Sequence, residues 1–290
     1  KTILYTAIAL CAFAGNSVLC RLALGNSDID PSSFTTIRLL SGIVILVLMS
    51  KFTTSRKAND ATKVSKGSWR AAVMLFVYAA TFSFAYVSLE TGTGALILFA
   101  AVQITMVLVS AFSGNKLHLV EWSGLGIAFI GLVYLVLPGL ATPSLFGFIL
   151  MAVSGVAWAV YTLSGKTSTN PLCDTTYNFL RTLPFVIILA IFTIHNSHLT
   201  MQGILLAVLS GAIASGAGYT IWYSALGGLS TIQAAVLQLL VPAIAALGGV
   251  AFVDEPLSMR LVISSLLILG GILFVILGKR YTVRNSSSTA

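Results

Sequence analysis

Three carboxamide side chains lie inside long apolar segments of the chain. Asn16, Gln103 and Gln238 are each surrounded by mostly aliphatic residues. A polar group in hydrocarbon is costly unless it has a partner, so these amides should face protein or a water-filled cavity. An amide donates and accepts hydrogen bonds, and the chemistry it offers is recognition of a polar solute. A hydrogen bond between helices explains any one of the three equally well.

Aromatic side chains recur at helical spacing in the same kind of segment. Tyr78, Phe82 and Tyr86 repeat every four residues, which places them on one face of a helix. Two further groups share this property, namely Ser154 with Trp158 and Tyr161, and Tyr219 with Trp222 and Tyr223. Aromatic stripes belong to packed interfaces more often than to binding sites. Trp158 lies too deep in its segment for an interfacial belt, and aromatic faces with polar donors suit small amphipathic solutes.

Two arginines lie near the starts of apolar segments. Arg38 and Arg181 each follow such a start by a turn or two. They could contact an anionic solute, but arginines in such positions more often reach the membrane interface or the carbonyls at a helix end. We therefore predict that Arg38 and Arg181 are structural charges.

The titratable residues that catalysis needs are not found at membrane depth. His118, His195 and His198 fall in loops, and the HxxH pair at 195–198 has no third ligand nearby. No Asp or Glu lies deep in an apolar segment. We predict no catalytic residue, no metal site and no cofactor, which disfavours a membrane-embedded enzyme.

The composition explains where these residues must lie. The chain has 290 residues, of which 57% are hydrophobic and 8% are charged, whereas soluble domains carry roughly 25% charged residues. Lipid must therefore be its solvent, and no cleaved signal peptide is expected because Lys1 leads directly into a full-length span. The net charge of +8 is spread over short loops, so no nucleic-acid partner is expected. Ten spans are predicted, at 3–24, 32–50, 69–89, 93–113, 120–137, 145–164, 174–194, 203–224, 230–252 and 258–278.

The loop charges orient these spans. If the N-terminus is cytoplasmic, twelve of the 16 Lys and Arg residues lie on the inner side, six of them between residues 51 and 70. This distribution satisfies the positive-inside rule and predicts that both termini are cytoplasmic. Trp69 and Trp122 then begin their spans at the inner interface, where aromatic anchors are expected.

The chain also contains an internal repeat. A shift of 143 residues aligns 34–39 with 177–182, and therefore Arg38 with Arg181. Each repeat has five predicted helices, and an odd number makes the second copy enter the membrane from the opposite side. Inverted repeats are typical of secondary transporters, whose substrate site lies near the membrane midplane. We predict repeats at 1–140 and 141–280 and a cytoplasmic tail at 281–290.

These segments resemble the EamA-type transporters of the drug/metabolite transporter superfamily. The resemblance covers nearly the whole chain. It rests on 34–38 at the start of the second helix, on Pro242 in the ninth, and on the run FVDEPLS at 252–258. It implies two five-helix repeats, with a central cavity surrounded by the first, third, fourth, sixth, eighth and ninth helices. Residues 115–118 (NKLH) depart from the first-half pattern, where a Glu is usual.

Two prolines predict kinks in helices near this cavity. Pro184 and Pro242 lack an amide hydrogen, so the carbonyls of Leu180 and Gln238 lose their helical partners. The predicted substrate-binding residues are the large or polar side chains at midplane depth on the cavity helices: Asn16, Tyr78, Phe82, Gln103, Trp158, Tyr161, Tyr219, Trp222 and Gln238.

These features predict a secondary transporter in the bacterial inner membrane, and the resemblance suggests an exporter. Since no carboxylate lies at membrane depth to pair with a cation, we expect neutral or zwitterionic metabolites such as amino acids. The alternative is a nucleotide-sugar or phosphorylated-metabolite carrier of the same superfamily, for which Arg38 and Arg181 would have to bind phosphate. The expected partners are a small-molecule substrate and the lipid bilayer.

Overall fold

The computed structural model describes residues 2–54, 66–112, 119–136, 143–165, 168–229, 234 and 237–287, and they are almost entirely helical. The helices are α1 (Thr2–Gly25), α2 (Pro31–Thr54), α3 (Trp69–Tyr86), α4 (Thr91–Phe112), α5 (Leu119–Val136), α6 (Leu145–Gly165), α7 (Pro171–Leu180), α8 (Leu183–Thr193), α9 (Met201–Leu209), α10 (Gly218–Leu226), α11 (Leu240–Val253) and α12 (Met259–Ser287). A 3₁₀ turn follows α8, and a π-helix joins α9 to α10. The predicted all-α class is confirmed.

Seven apolar stretches are long enough to cross a membrane: Thr2–Gly25, Pro31–Phe52, Trp69–Tyr86, Thr91–Val109, Leu145–Gly165, Pro171–Thr193 and Met201–Leu226. Three shorter apolar helices accompany them, at Trp122–Leu135, Leu240–Val253 and Met259–Val275. Each long stretch has at least 18 residues, and a rise of about 1.5 Å per residue then carries it across most of a hydrocarbon core of about 30 Å. The chain is a multi-pass membrane protein, and ten crossings stay a prediction.

The outer surface of this bundle is apolar. Phe112, Leu119 and Phe192 are each at least 80% exposed. Trp69 and Trp122, the predicted interfacial anchors, are about half exposed, near the starts of α3 and α5. Large apolar side chains facing outward around a helical bundle are expected where lipid is the solvent.

Several helices begin at polar caps. The Ser68 hydroxyl accepts a hydrogen bond from Ala71 N, and the Thr200 hydroxyl accepts one from Gly203 N. Asn170 caps α7 in the same way, and Pro171 occupies the first turn, where no amide hydrogen is needed. These caps satisfy backbone amide donors at the helix starts. Polar turns in the sequence, such as Asn170-Pro171, predict such caps.

Two predicted spans are interrupted close to a proline. The span at 174–194 consists of α7 and α8, and Pro184 lies in the first turn of α8, just after the turn at residues 181–182. Within the span at 230–252, the structure describes residue 234 and the residues from 237 onward. A turn at Leu239 precedes α11, and Pro242 lies in the first turn of that helix. Each proline therefore lies just past a break in its helix, because a helix can restart at a proline but cannot continue through it unchanged.

The span at 203–224 contains a feature that the sequence analysis did not predict. Residues Ser210–Ala217, here called the π segment, form a π-helix between α9 and α10. Such wide turns are rare and occur mostly at functional sites. Gly211 lies so close to α2 that a Cβ atom there would overlap the carbonyl oxygen of Arg38 and the hydroxyl of Ser41. The missing side chain lets the π segment touch the backbone of α2.

Helices of the first half pack on helices of the second half, and each such contact has a counterpart in which the two halves change places. α3 packs on α6, while α1 packs on α9, the π segment and α10. Likewise α4 packs on α6, while α11 packs on α1. α5 and α12 contact each other at Gly124 and Gly271, where an added Cβ would lie 2.6–2.7 Å from the facing carbonyl oxygen. Each contact has a counterpart with the halves exchanged, as expected for two structurally equivalent halves.

The close approach at Gly211 can be tested by substitution. Gly211→Ala should destabilise the protein by about 1–3 kcal/mol, because the new methyl group overlaps the α2 backbone and the helices must separate. We expect the unfolding temperature in detergent to fall by roughly 2–10 °C. Gly15→Ala is the matched control, since no atom lies within 4 Å of its added Cβ. Equal unfolding temperatures for the two variants would contradict this packing.

Candidate functional site

Arg38 on α2 lies at the centre of the bundle. The residue is 1% exposed. Its Nε donates to Ser215 Oγ at 3.1 Å, and its Nη2 donates to Tyr78 Oη at 3.1 Å and to Tyr219 Oη at 2.8 Å. The guanidinium carbon also lies 5.2 Å from the ring centroid of Tyr78 and 4.9 Å from that of Phe82. The positive charge is thus held by hydroxyls and aromatic faces, which stabilise a cation without neutralising it.

A hydrogen-bonded network extends from this arginine to α1. Tyr219 Oη and Tyr78 Oη are 3.1 Å apart, and Asn16 Nδ2 donates to Tyr78 Oη at 3.4 Å. Ser210 Oγ donates to Asn16 Oδ1 at 2.6 Å. We call this set the polar cluster, and its members are Asn16, Arg38, Tyr78, Ser210, Ser215 and Tyr219. It joins three helices from the first half of the chain to the π segment and α10 of the second.

Aromatic rings enclose the polar cluster. Trp158 on α6 has its ring centroid 4.8 Å from that of Tyr78 and 4.7 Å from that of Tyr219. Phe13 on α1 contacts Trp158 and Trp222, each at 5.6 Å. We call this group the aromatic cage, and its members are Phe13, Tyr78, Phe82, Trp158, Tyr161, Tyr219 and Trp222. All seven side chains are nearly or fully buried, so the centre of the bundle combines apolar surface with hydroxyl, indole and guanidinium donors.

The cage is closed in this structure. The void inside it has a volume of about 10 Å³ and is lined by Phe13, Ser17, Tyr78, Phe82, Leu98, Phe99 and Trp158. Such a volume admits at most one water molecule. A metabolite can enter only if the surrounding helices move apart.

A larger cavity opens at one end of the bundle. This vestibule has a volume of about 180 Å³ and is lined by Gly67, Ser68, Ala71, Ser164, Gly165, Ser168, Asp174, Asn178 and Tyr223. The Tyr223 ring stacks on the Tyr161 ring at 5.6 Å between centroids, so these two rings separate the vestibule from the cage. Gly165 gives Tyr223 room, because a Cβ there would overlap the phenol ring.

The opposite end of the bundle is held by an ion pair. Arg21 Nε on α1 lies 2.9 Å from Glu255 Oε1, and the backbone amide of Thr91 donates to Glu255 Oε2 at 2.8 Å. Arg21 Nη1 donates to the carbonyl of Tyr86 at 3.1 Å. Glu255 belongs to the run 252–258 that carries the family resemblance. These contacts join it to α1, α3 and α4, and we call this part of the bundle the ion-pair end. A second contact at this end joins Asp28 and Asp30 to the backbone amides of Thr200 and His198.

The structure brings together seven of the nine predicted binding residues. Asn16, Tyr78 and Tyr219 belong to the polar cluster, and the predicted aromatic residues complete the cage. Gln238 is buried, but its Nε2 donates to the carbonyl of Ala234, four residues earlier, and its Oε1 has no partner among the described residues. Gln103 is buried on α4, one turn beyond the void-lining Leu98 and Phe99.

Other members of the site were missed by the sequence analysis. Phe13 lies three residues before Asn16 and so shares its helix face, a signal that could have identified it. Ser210 and Ser215 are brought to the cluster by the π segment, which has no recognised sequence signature.

The two aligned arginines lie in different environments. Arg181 is partly exposed, its Nη1 donates to the carbonyl of Lys66, and its guanidinium lies 5.6 Å from the Trp69 ring. These contacts suit a structural charge. Arg38, by contrast, contacts no helix-end carbonyl among the described residues, because the hydroxyls of α3, α10 and the π segment hold it at the centre.

The histidine pair contributes to backbone contacts near the ion-pair end. His195 lies in the 3₁₀ turn, and the backbone amide of His198 donates to Asp30 Oδ2 at 3.0 Å. Across the described parts of the chain, no group of three or more His, Cys, Asp or Glu side chains could hold a metal ion. His118 lies outside the described residues.

Membrane-length helices surrounding a closed polar and aromatic centre, with one open vestibule, define a multi-pass membrane transporter. The chain belongs to the EamA-like transporter family, which matches residues 1–137 and again residues 145–277. The predicted family membership is confirmed.

Relatives of this chain occur in Pseudomonas aeruginosa and Escherichia coli. An uncharacterized protein of Pseudomonas aeruginosa is 46% identical over 95% of this chain and 94% of its own length. A protein of Escherichia coli named as a probable amino-acid metabolite efflux pump is 25% identical over 72% of this chain and 78% of its own. One crystal structure aligns with a TM-score of 0.62 at 17% identity, covering 95% of this chain and 98% of the other, and it supports the fold alone.

The ion-pair end contains a second carboxylate whose charge is poorly compensated. Partial burial raises the pKa of Glu90 above its ordinary value, and the negative charge of Glu255 raises it further, while Arg21 opposes both effects. A raised pKa means that the folded protein binds this proton more tightly than the unfolded chain does. Stability therefore falls as the pH rises through the pKa of Glu90.

Glu90→Gln should remove the loss of stability that accompanies ionisation of the Glu90 carboxyl. We expect a small rise in unfolding temperature at neutral pH and no difference from the parent at acidic pH, where the parental carboxyl is protonated. Asp254→Asn is the control, because it removes a neighbouring exposed carboxylate from a left-handed residue (φ 54°) that Asn also tolerates. Thermal unfolding across the pH range checks both variants, and a parental curve at every pH for Glu90→Gln would contradict the interpretation.

Proposed function

We propose that this protein is a secondary transporter that exports small neutral or zwitterionic metabolites, such as amino acids or related compounds, by alternating access. The observation that carries the proposal is the closed aromatic cage between the two halves of the chain. Carriers of this kind bind substrate near the membrane midplane, where two structural repeats meet.

We assign the repeats to residues 1–140 and 141–280, with a cytoplasmic tail at 281–290. The double match to the family and the exchanged helix pairs support this division. The ten-helix arrangement with both termini in the cytoplasm rests on the loop charges. A bacterial inner membrane is the proposed location, and relatives from Pseudomonas aeruginosa and Escherichia coli support it.

The different states of the two ends support alternating access. An alternating-access carrier opens its central site to one side at a time, and here a vestibule stands at one end while an ion pair closes the other. Lys66 and Arg70 lie beside the vestibule residues Gly67 and Ser68 in sequence. Under the positive-inside rule the vestibule then faces the cytoplasm.

The cage supports a small amphipathic substrate. Its rings offer apolar contact on several sides, and Asn16 and the two tyrosines of the polar cluster can bind polar ends. The Escherichia coli relative is named for efflux of amino-acid metabolites, a substrate class of matching size and polarity. We keep Gln103 and Gln238 as proposed lining residues, with Gln238 Oε1 available to a ligand.

The nucleotide-sugar or phosphorylated-metabolite alternative needs more positive charge than the centre provides. Among the described residues, Arg38 is the only buried basic side chain. A phosphate monoester carries close to two negative charges, and Arg181 contacts the loop before α3 instead of the cage. A single cation matches one carboxylate better than it matches a phosphate group.

Transport in proteoliposomes tests the substrate class and the site together. We expect uptake of labelled amino acids and none of nucleotide sugars. Trp158→Ala should weaken the apparent affinity by more than tenfold, because it removes a broad buried contact surface. Gln238→Ala should weaken it by about tenfold or less, as expected for one hydrogen bond.

Trp122→Ala controls for the loss of an indole, because Trp122 is exposed on the outer surface of α5. Its transport should match the parental protein. If Trp158→Ala and Gln238→Ala, both verified by size-exclusion profile, also transport at the parental rate and affinity, then the substrate site lies elsewhere.

Cysteine labelling tests the orientation. Lys57 and Lys166, which are predicted to be cytoplasmic, lie outside the described residues, so the exposed Thr169 represents that side and the exposed Ser197 the other. After replacement of Cys11, Cys20 and Cys173 by Ala, a cysteine at Ser197 should react with an impermeant thiol reagent in intact cells. A cysteine at Thr169 should react only after the cells are opened. Labelling of Thr169 from outside would reverse the proposed orientation.

A further inference from the structure

The charge of Arg38 has no negative partner. No carboxylate among the described residues forms an ion pair with it, and its Nη1 has no hydrogen-bond partner there although the group is fully enclosed. Nε and Nη2 donate to neutral hydroxyls. A buried guanidinium is strongly disfavoured without an opposite charge. A structural arginine would normally satisfy all of its donors, as a buried charge requires.

Several donors of the polar cluster and the aromatic cage have no acceptor among the described residues. Tyr78 Oη receives hydrogen bonds from Arg38 and Tyr219, so one phenolic hydrogen of this pair has no acceptor in the polar cluster. The indole Nε1 atoms of Trp158 and Trp222 are buried without partners among the described residues, and an indole nitrogen can only donate. Unmet donors around an uncompensated cation complement a ligand that brings negative charge and acceptor oxygens.

We propose that Arg38, with the hydroxyls of Tyr78 and Tyr219, forms a subsite for a carboxylate, so that the transported metabolite bears one carboxylate group. The inference rests on the proposed transport function and narrows its substrate class. One carboxylate oxygen would accept from Arg38 Nη1 and the other from a tyrosine hydroxyl, since charge-assisted hydrogen bonds are the strongest that such a site can form. The rest of the solute would then lie against the rings of the aromatic cage.

The position of Arg38 beside the void supports this assignment. Tyr78 and Phe82, whose ring faces contact the guanidinium, also line the small void together with Trp158. A solute that enters from the vestibule past Tyr223 and Tyr161 would thus meet the guanidinium as the cage opens. The carboxylate subsite and the ring surfaces are parts of one cavity.

Binding to the purified protein tests the proposal without any variant. The probes are leucine, phenylalanine and methionine, each with its carboxamide analogue and with the carboxylic acid that lacks the amino group. The readouts are calorimetry and the fluorescence of the buried Trp158 and Trp222. The parental protein should bind each acid roughly ten- to a hundredfold more tightly than its amide, as a hydrogen bond to a charged group implies. Equal binding of acids and amides would overturn the proposal.

Variants then assign the effect to Arg38. Arg38→Gln should reduce the acid-to-amide ratio to near one, and Arg38→Lys, which keeps the charge, should retain part of it. Arg181→Gln is the matched control and should keep the parental ratio, because Arg181 lies outside the cage. If Arg38→Gln binds acids with the parental preference, the subsite is not at Arg38. If it fails to fold, the Arg38→Lys ratio decides: a reduced acid-to-amide ratio supports a carboxylate subsite at Arg38, and an unchanged ratio means that the subsite is not at Arg38.

The same probes separate this inference from the transport function. If the acids without an amino group bind in an Arg38-dependent way but amino acids are not transported, the carboxylate subsite is supported and the proposed substrate class is contradicted. If amino acids and their amides are transported equally fast and Arg38→Gln changes neither rate, the transport function is supported and the carboxylate subsite is contradicted.

Discussion

The buried charge of Arg38 constrains the rest of the centre. A guanidinium in the middle of a lipid-embedded bundle cannot be hydrated, so protein groups must hold it. Tyr78, Tyr219 and Ser215 do so from three directions, and each reaches it only because its own helix approaches α2 closely. The contact of Gly211 with the α2 backbone and the wide turn of the π segment follow from this requirement. The cluster is therefore a joint between the two halves of the chain.

The sequence predicted most of the fold because membrane helices leave few alternatives. For the first eight predicted spans, hydropathy located the helix ends to within about four residues, whereas α11 begins ten residues after the predicted start of the ninth span and α12 continues to Ser287. The polarity and depth of Asn16, Tyr78 and Trp158 selected side chains that the structure brings together. Helical spacing alone then placed the rings of Tyr78 and Phe82 on one face. These properties are local, and a single sequence contains them.

What the sequence did not predict depends on contacts between distant segments. The π segment has the small residues of an ordinary membrane helix, so its sequence does not predict the wider helical turns that bring Ser215 to Arg38. The alignment of Arg38 with Arg181 suggested one shared role, but packing gave the two side chains unlike surroundings. Buried tyrosine hydroxyls hold Arg38, whereas Arg181 is partly exposed and donates to the carbonyl of Lys66. Gln238 was assigned by its depth in a predicted span, whereas its amide nitrogen donates to the carbonyl of Ala234, four residues earlier. Repeats preserve the path of the backbone better than they preserve the use of each side chain.

The narrowness of the closed cage has a consequence for proton leakage. Proton leakage along a file of water needs a continuous chain of hydrogen-bonded molecules, and a void of about 10 Å³ holds at most one of them. The rings of Phe13, Phe82 and Trp158 line this void. In this conformation, no file of water molecules can pass through the void in the cage, so the closed cage does not offer protons a water path.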